Sequence, residues 1–203
     1  MTCIVGLIDN GDVYLGGDAA GVAGLDVTVR ADRKVVRNGD FLFGFTTSFR
    51  MGQLLGFRLQ PPVRPPEADI FRFMVVDFID AVRGCLKDGG YAQRVNDIES
   101  GGNFLVAYEG RLFQIGSDYQ VGEVPHGFDA VGCGANFALG SLASTEGMEP
   151  HARVLKALEV AEEFSGGVRG PFHIERLSGQ AVAQGPVWDA VRAELAAVSA
   201  VRG

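Results

Sequence analysis

Two Asn-Gly pairs, Asn10-Gly11 and Asn38-Gly39, each lie between apolar runs rich in β-branched and aromatic residues, and they constrain the chain more than any other local feature. Asn-Gly readily supplies two consecutive residues at positive φ, which is what the tightest antiparallel hairpins demand. Residues 3 to 9 and 13 to 18 are therefore expected to pair around the first turn. Lys34-Val35-Val36 and Phe41 to Phe45 are expected to pair around the second, with an extended piece at Asp26 to Val29 between the hairpins.

From Ser48 the apolar period moves from two toward about 3.6. Met51, Leu54 and Leu55 then share one face of a helix over about 48 to 58, with Ser48 as its cap. Pro61-Pro62-Val63-Arg64-Pro65-Pro66 cannot continue that helix. Asp69 caps a second helix that ends at Gly89-Gly90 and buries a stripe of Phe71, Met74, Val75, Phe78, Val82 and Cys85. Strand signals return as a second meander: Asn103 to Tyr108, the Glu109-Gly110 turn, Arg111 to Ile115, Gln120 to Gly122 and Phe128 to Val131. Helices over about 136 to 144 and 150 to 164, a strand over 171 to 177 and a terminal helix over 188 to 201 complete the pattern. Strands, two helices, strands, two helices: this order predicts an α+β fold in which two antiparallel sheets pack face to face between helical layers, as one domain over residues 1–203.

At 203 residues and 47% hydrophobic, the chain can bury a substantial core. Its net charge of -7 argues against a partner built of phosphates, whether nucleic acid or an anionic membrane surface. The three cysteines, Cys3, Cys85 and Cys133, are too scattered for a disulfide scaffold and point to a cytoplasmic chain. Apolar runs stay far short of the ~20 residues that span a bilayer. The three histidines stand apart, so no metal site is expected. Gly132-Cys133-Gly134 has Phe137 where a dinucleotide fingerprint would carry its third glycine, and no cofactor is implied.

The chemistry concentrates at the start of the chain. Loss of Met1 would leave Thr2 with a free α-amine, and an amine with a pKa of about 7.7 to 8.0 is a base able to activate the hydroxyl of the same residue. Such a site also requires a cation, a carboxylate to orient it and a backbone donor for an oxyanion. Asp18, Lys34 and Gly44 are candidates for these roles. Taken singly they have plainer readings: Lys34 sits in a basic run with Arg30, Arg33 and Arg37, as a solvated strand residue would, and Asp18 could mark a turn. Cys133, between glycines, could be a small buried hydrophobe, and Glu162 an exposed residue near a helix end.

Taken together, Thr2-Cys-Ile-Val-Gly6, Val13-Tyr-Leu-Gly-Gly-Asp18, Lys34-Val-Val36, Gly44-Phe-Thr46, Ala130-Val-Gly-Cys-Gly134, and Ala157-Leu-Glu-Val-Ala161 followed by Ser165-Gly-Gly167 resemble the proteasome β-subunits, HslV especially. Asp18 and Lys34 match the family's spacing from its threonine without a gap. The resemblance implies the Ntn-hydrolase version of the four-layer αββα sandwich and a threonine peptidase. Thr2 would be the nucleophile, its amine the base, Lys34 and Asp18 the tuning pair, and Gly44 the oxyanion donor. The family's supporting serine, late aspartate and late serine fall at Cys133, Glu162 and Ser165. Its substrate-binding strand falls at Gly21 and Val22, and Asp32, Thr46 and Arg50 line the pocket by analogy. Peptide or unfolded protein as substrate, a homo-oligomeric double ring and an ATP-dependent unfoldase as partner are implied in the same way. A ring-forming scaffold with little chemistry, or a small-molecule amidase of the same fold, are the alternatives.

Overall fold

Asn10 and Gly11 take φ values of 48° and 86° and close a two-residue hairpin between β1 (Cys3–Asp9) and β2 (Asp12–Gly17). They do so in a computed structural model that describes residues 1–179. The second expected hairpin forms with a shifted turn. β5 (Val35–Asn38) and β6 (Phe41–Phe45) are joined by Gly39-Asp40, and Asn38 remains in its strand. There the Asn38 side-chain amide donates to the Leu55 and Leu59 carbonyls, tying β5 to the C-terminal end of the helix that follows β6. Between the hairpins, β3 (Ala20–Ala23) and β4 (Asp26–Val29) pair as a separate ribbon, of which only the second strand was legible in the sequence.

α1 (Phe49–Phe57) starts as expected, with the Ser48 hydroxyl accepting from the Arg50 amide. The next helical segment is not a uniform α-helix: α2 (Ile70–Phe73) and α3 (Ile79–Asp88) are joined through a π-helical stretch, Met74–Phe78. Its wider turn changes which residues face inward. Phe73, Ile79 and Leu86 are buried, whereas Val75, expected on the buried stripe, is exposed. A small hairpin, β7 (Gln93–Val95) and β8 (Ile98–Ser100), precedes β9 (Phe104–Tyr108), β10 (Arg111–Ile115) and β11 (Val121–Glu123).

The expected second meander divides here. β12 (Phe128–Gly132) leaves β11 and pairs with β1 in the other sheet. The result is a four-stranded sheet of order β12-β1-β2-β13 and a five-stranded sheet of order β11-β10-β9-β6-β5, with β13 (His173–Leu177) pairing with β2. α4 (Ala135–Ser144) and α5 (Pro150–Phe164) cover the first sheet. The expected helix at 188 to 201 lies outside the described residues.

Three apolar layers hold this arrangement together, and strand alternation assigns residues to them. Along β1, Cys3, Val5 and Leu7 face α4 and α5, while Ile4 faces the other sheet. Along β6 and β9, Phe41, Phe43, Phe45, Phe104, Val106 and Tyr108 face α1 and the α2–α3 segment, while Leu42, Leu105 and Ala107 fill the space between the sheets. A register slip of one residue would exchange the layers, so burial on both faces pins the pairing. No helix among the described residues is long and apolar enough to cross a membrane.

Candidate active site

Five of the chemically suggestive residues stand at strand ends, and antiparallel pairing brings those ends to one edge of the sandwich. Thr2 leads into β1, Asp18 follows β2, Lys34 precedes β5, Thr46 follows β6 and Cys133 follows β12. The pairing of Cys3 with Gly132 and of Ile4 with Gly17 sets Thr2 between the ends of two neighbouring strands. Gly132 has φ 105°, and a Cβ there would come within 2.1 Å of the Thr2 carbonyl oxygen. The close approach of the two chains therefore requires glycine at that position.

Lys34, readable in isolation as a solvated residue, is 2% exposed. Its ammonium donates to the Thr2 hydroxyl at 2.9 Å and to Asp18 Oδ1 at 2.9 Å. Asp18 is equally enclosed and accepts four hydrogen bonds: from Lys34 and the Cys3 amide on Oδ1, and from the Ala20 and Arg169 amides on Oδ2. Such a saturated carboxylate is a rigid anchor. Burial pulls the Lys34 pKa below its usual 10.5, and the Asp18 charge opposes that shift. With Met1 in place the Thr2 nitrogen is an amide, and the Thr2 hydroxyl also donates to the Met1 carbonyl.

Cys133 is exposed and stands at the Thr2 backbone. Its sulfur lies 3.3 Å from the Thr2 nitrogen, 3.4 Å from the Thr2 carbonyl oxygen and 3.3 Å from the Ser165 hydroxyl. It thus links Ser165, at the end of α5, to the nucleophile candidate. Cys3 is its opposite: burial pushes that thiol up to about 12. A native-state alkylation experiment is therefore expected to label Cys133 rapidly and leave Cys3 unmodified until the chain unfolds; labelling of Cys3 at a comparable rate would contradict the burial described here.

Three expectations need correction. Gly44 is the penultimate residue of β6, opposite Val35 on one side and Leu105 on the other, where a Cβ would come within 2.4 Å of Ile4 between the sheets. It does not line the cleft at Thr2, where an oxyanion donor would have to stand. Thr47 does line that cleft, takes φ 61°, and its amide has no acceptor among the described residues. A β-branched residue in this region is strained, and here the Asn103 amide holds it by donating to the Thr47 hydroxyl. Nothing local in the sequence marks a threonine for that conformation. Second, Glu162, expected as a supporting residue, supports the site only at a distance, with no hydrogen bond to Thr2 among the described residues. It accepts from the Gly170 amide at 3.0 Å and so steadies the loop whose Arg169 amide reaches Asp18. Third, Arg50 reaches Gly89 and does not line the cleft, whereas Asp32, paired with Arg30 through two hydrogen bonds, lines the adjoining space that shares Phe45 and Phe49 with it. Val22 and Thr46 do line it, and Gly21 lies in β3 beside them, its carbonyl taken by the Thr28 hydroxyl.

Two face-to-face antiparallel sheets between helical layers are the architecture of HslV and other proteasome-like Ntn-hydrolase folds, and the chain has this fold. Solved structures with the same architecture include the Thiobacillus denitrificans protein BPH (TM-score 0.73, 21% identity, 89% of this chain and 100% of that one). HslV from Trypanosoma brucei is similar at TM-score 0.60 and 17% identity over 87% of this chain and 99% of that one. An Anbu mutant from Hyphomicrobium sp. strain MC1 is similar at TM-score 0.63 and 17% identity, covering 100% of this chain and 95% of that one. By sequence, no family model and no curated protein matches.

Proposed function

We propose that this chain is a threonine peptidase of the N-terminal-nucleophile type, working as one subunit of a homo-oligomeric ring assembly on extended peptides or unfolded protein. The observation that carries this reading is the Lys34 ammonium, buried and within 2.9 Å of both the Thr2 hydroxyl and the Asp18 carboxylate. Once the Met1–Thr2 bond is cut, the Thr2 amine accepts the proton of its own hydroxyl. Thr2 Oγ1 then attacks the peptide carbonyl carbon, and the oxyanion that forms meets the Thr47 amide. A donor of that kind is worth about 3 kcal/mol. The protonated amine passes its proton to the leaving nitrogen, the peptide bond breaks and an ester on Thr2 remains for water to hydrolyse. Lys34 keeps positive charge beside the amine, which favours the neutral, basic form, and Asp18 holds Lys34 in place.

Exposed apolar side chains at Leu25, Phe57, Phe137 and Phe164 support an assembly of copies, and the ATP-dependent unfoldase that such a chamber employs is part of the same proposal. A scaffold without chemistry is the second reading, motivated by Cys133 and Glu162 standing where the resemblance expects a serine and an aspartate. Intact mass of protein purified from cells separates the two. The peptidase is expected to lack methionine at its head, to hydrolyse fluorogenic peptides and to be modified at Thr2 by epoxomicin, the molecule bound in a structure of the Thiobacillus protein. Full retention of Met1 together with no hydrolysis would leave the scaffold.

A further inference from the structure

Phe45 and Phe49 stand between two spaces of very different size. The cleft at Thr2 measures about 80 Å³, and behind it lies a cavity of about 400 Å³ that extends to Val35, Val36 and Gln53. Both rings line both spaces, so they form the partition between them. They meet edge to face, with centroids 6.0 Å apart and planes at 81°.

Phe45 is held from behind, and Phe49 is covered on one face. Phe45 is buried and lies flat against Gly52 of α1, where a Cβ would come within 2.1 Å of its ring. Phe49 is covered by the Arg30 guanidinium, 4.1 Å from its centroid, and Arg30 is itself fixed by two hydrogen bonds to Asp32. Met1 also lines the cleft, but it packs against Gly167, away from the aromatic partition. Its removal opens the other side and leaves the wall standing.

We infer that Phe49, backed by Phe45 and clamped by Arg30, confines the substrate side chain immediately before the cleaved bond to a small one such as alanine, serine or valine. This rests on the peptidase reading above and deepens it. A leucine or phenylalanine at that position would have to displace Phe49 from beneath Arg30 to reach the larger cavity. Even one methylene against an apolar wall changes kcat/KM by about 10- to 200-fold.

The test is a panel of fluorogenic peptides identical except for alanine, valine, leucine or phenylalanine before the scissile bond. Wild-type protein is expected to cleave the alanine and valine members with kcat/KM at least about tenfold above the phenylalanine member. Phe49→Ala, which joins the two spaces, is expected to raise the phenylalanine-to-alanine ratio at least about tenfold, with Phe49→Val intermediate. A wild-type preference for the large side chains overturns the inference without any variant being made, as does an unchanged ratio in both variants. Absence of hydrolysis of every member by Met1-free protein sinks the peptidase reading itself, and the inference with it.

Discussion

Thr2→Ala is expected to reduce peptide hydrolysis by at least about a thousandfold, the scale on which enzymes lose activity when their nucleophile is deleted. The substitution isolates chemistry from processing, because alanine is as small as threonine and should not hinder release of Met1. It removes the hydroxyl that receives the Lys34 ammonium, with the γ-methyl, and leaves the backbone groups of Thr2 that meet Cys133 in place. Thr2→Ser keeps an oxygen in nearly the same place and should retain a measurable rate. Kinetic assays on Met1-free protein of all three forms decide the matter: turnover in Thr2→Ala within a few-fold of wild type would exclude Thr2 as nucleophile and the proposed mechanism with it.

The second large effect is on stability. Asp18→Asn preserves shape while removing the negative charge that faces Lys34, whose side chain is 1% exposed. Breaking a buried pair in this way leaves an uncompensated charge at a cost of about 3 to 5 kcal/mol. For a chain of this size that lowers Tm by roughly 6 to 20 °C, compared at equal protein concentration. The pH dependence carries a further signature. Burial already holds the Lys34 pKa below 10.5 in the folded state, so between that lowered value and 10.5 the unfolded chain binds more protons. Stability contributed by this group therefore rises with pH across that interval. Without Asp18, which pulls the pKa back up, the folded value drops further, the interval widens and the climb becomes larger. Scanning calorimetry of both proteins at several pH values would show it, and equal Tm values at neutral pH would mean that the ion pair contributes nothing to the fold.

Much of the architecture is legible in local sequence because its signals act over a few residues. Asn10-Gly11 and Glu109-Gly110 place paired positive-φ residues in tight turns, and Ser48 and Asp69 cap the helices expected of them. Where distant partners decide, local reading fails. Asn38 leaves its turn to bind α1 carbonyls, the π-helical stretch shifts the buried stripe past Val75, and β12 abandons its meander for β1. The site divides in the same way. Thr2, Asp18 and Lys34, named from their types and from a family resemblance, do come within hydrogen-bond reach of one another, whereas strand pairing buries Gly44 between the sheets.

The one-dimensional pattern, then, determined which segments extend, which coil into helices and which side chains carry reactive groups, since turn chemistry and apolar period are properties of neighbouring residues. The meeting of Thr2 with Lys34, the exposure of Cys133 and the partition at Phe49 were decided only by the registers of β1, β2, β5 and β12 and the packing of the layers. Those depend on contacts between residues far apart along the chain, where a single strand slip would carry each of these groups to another face.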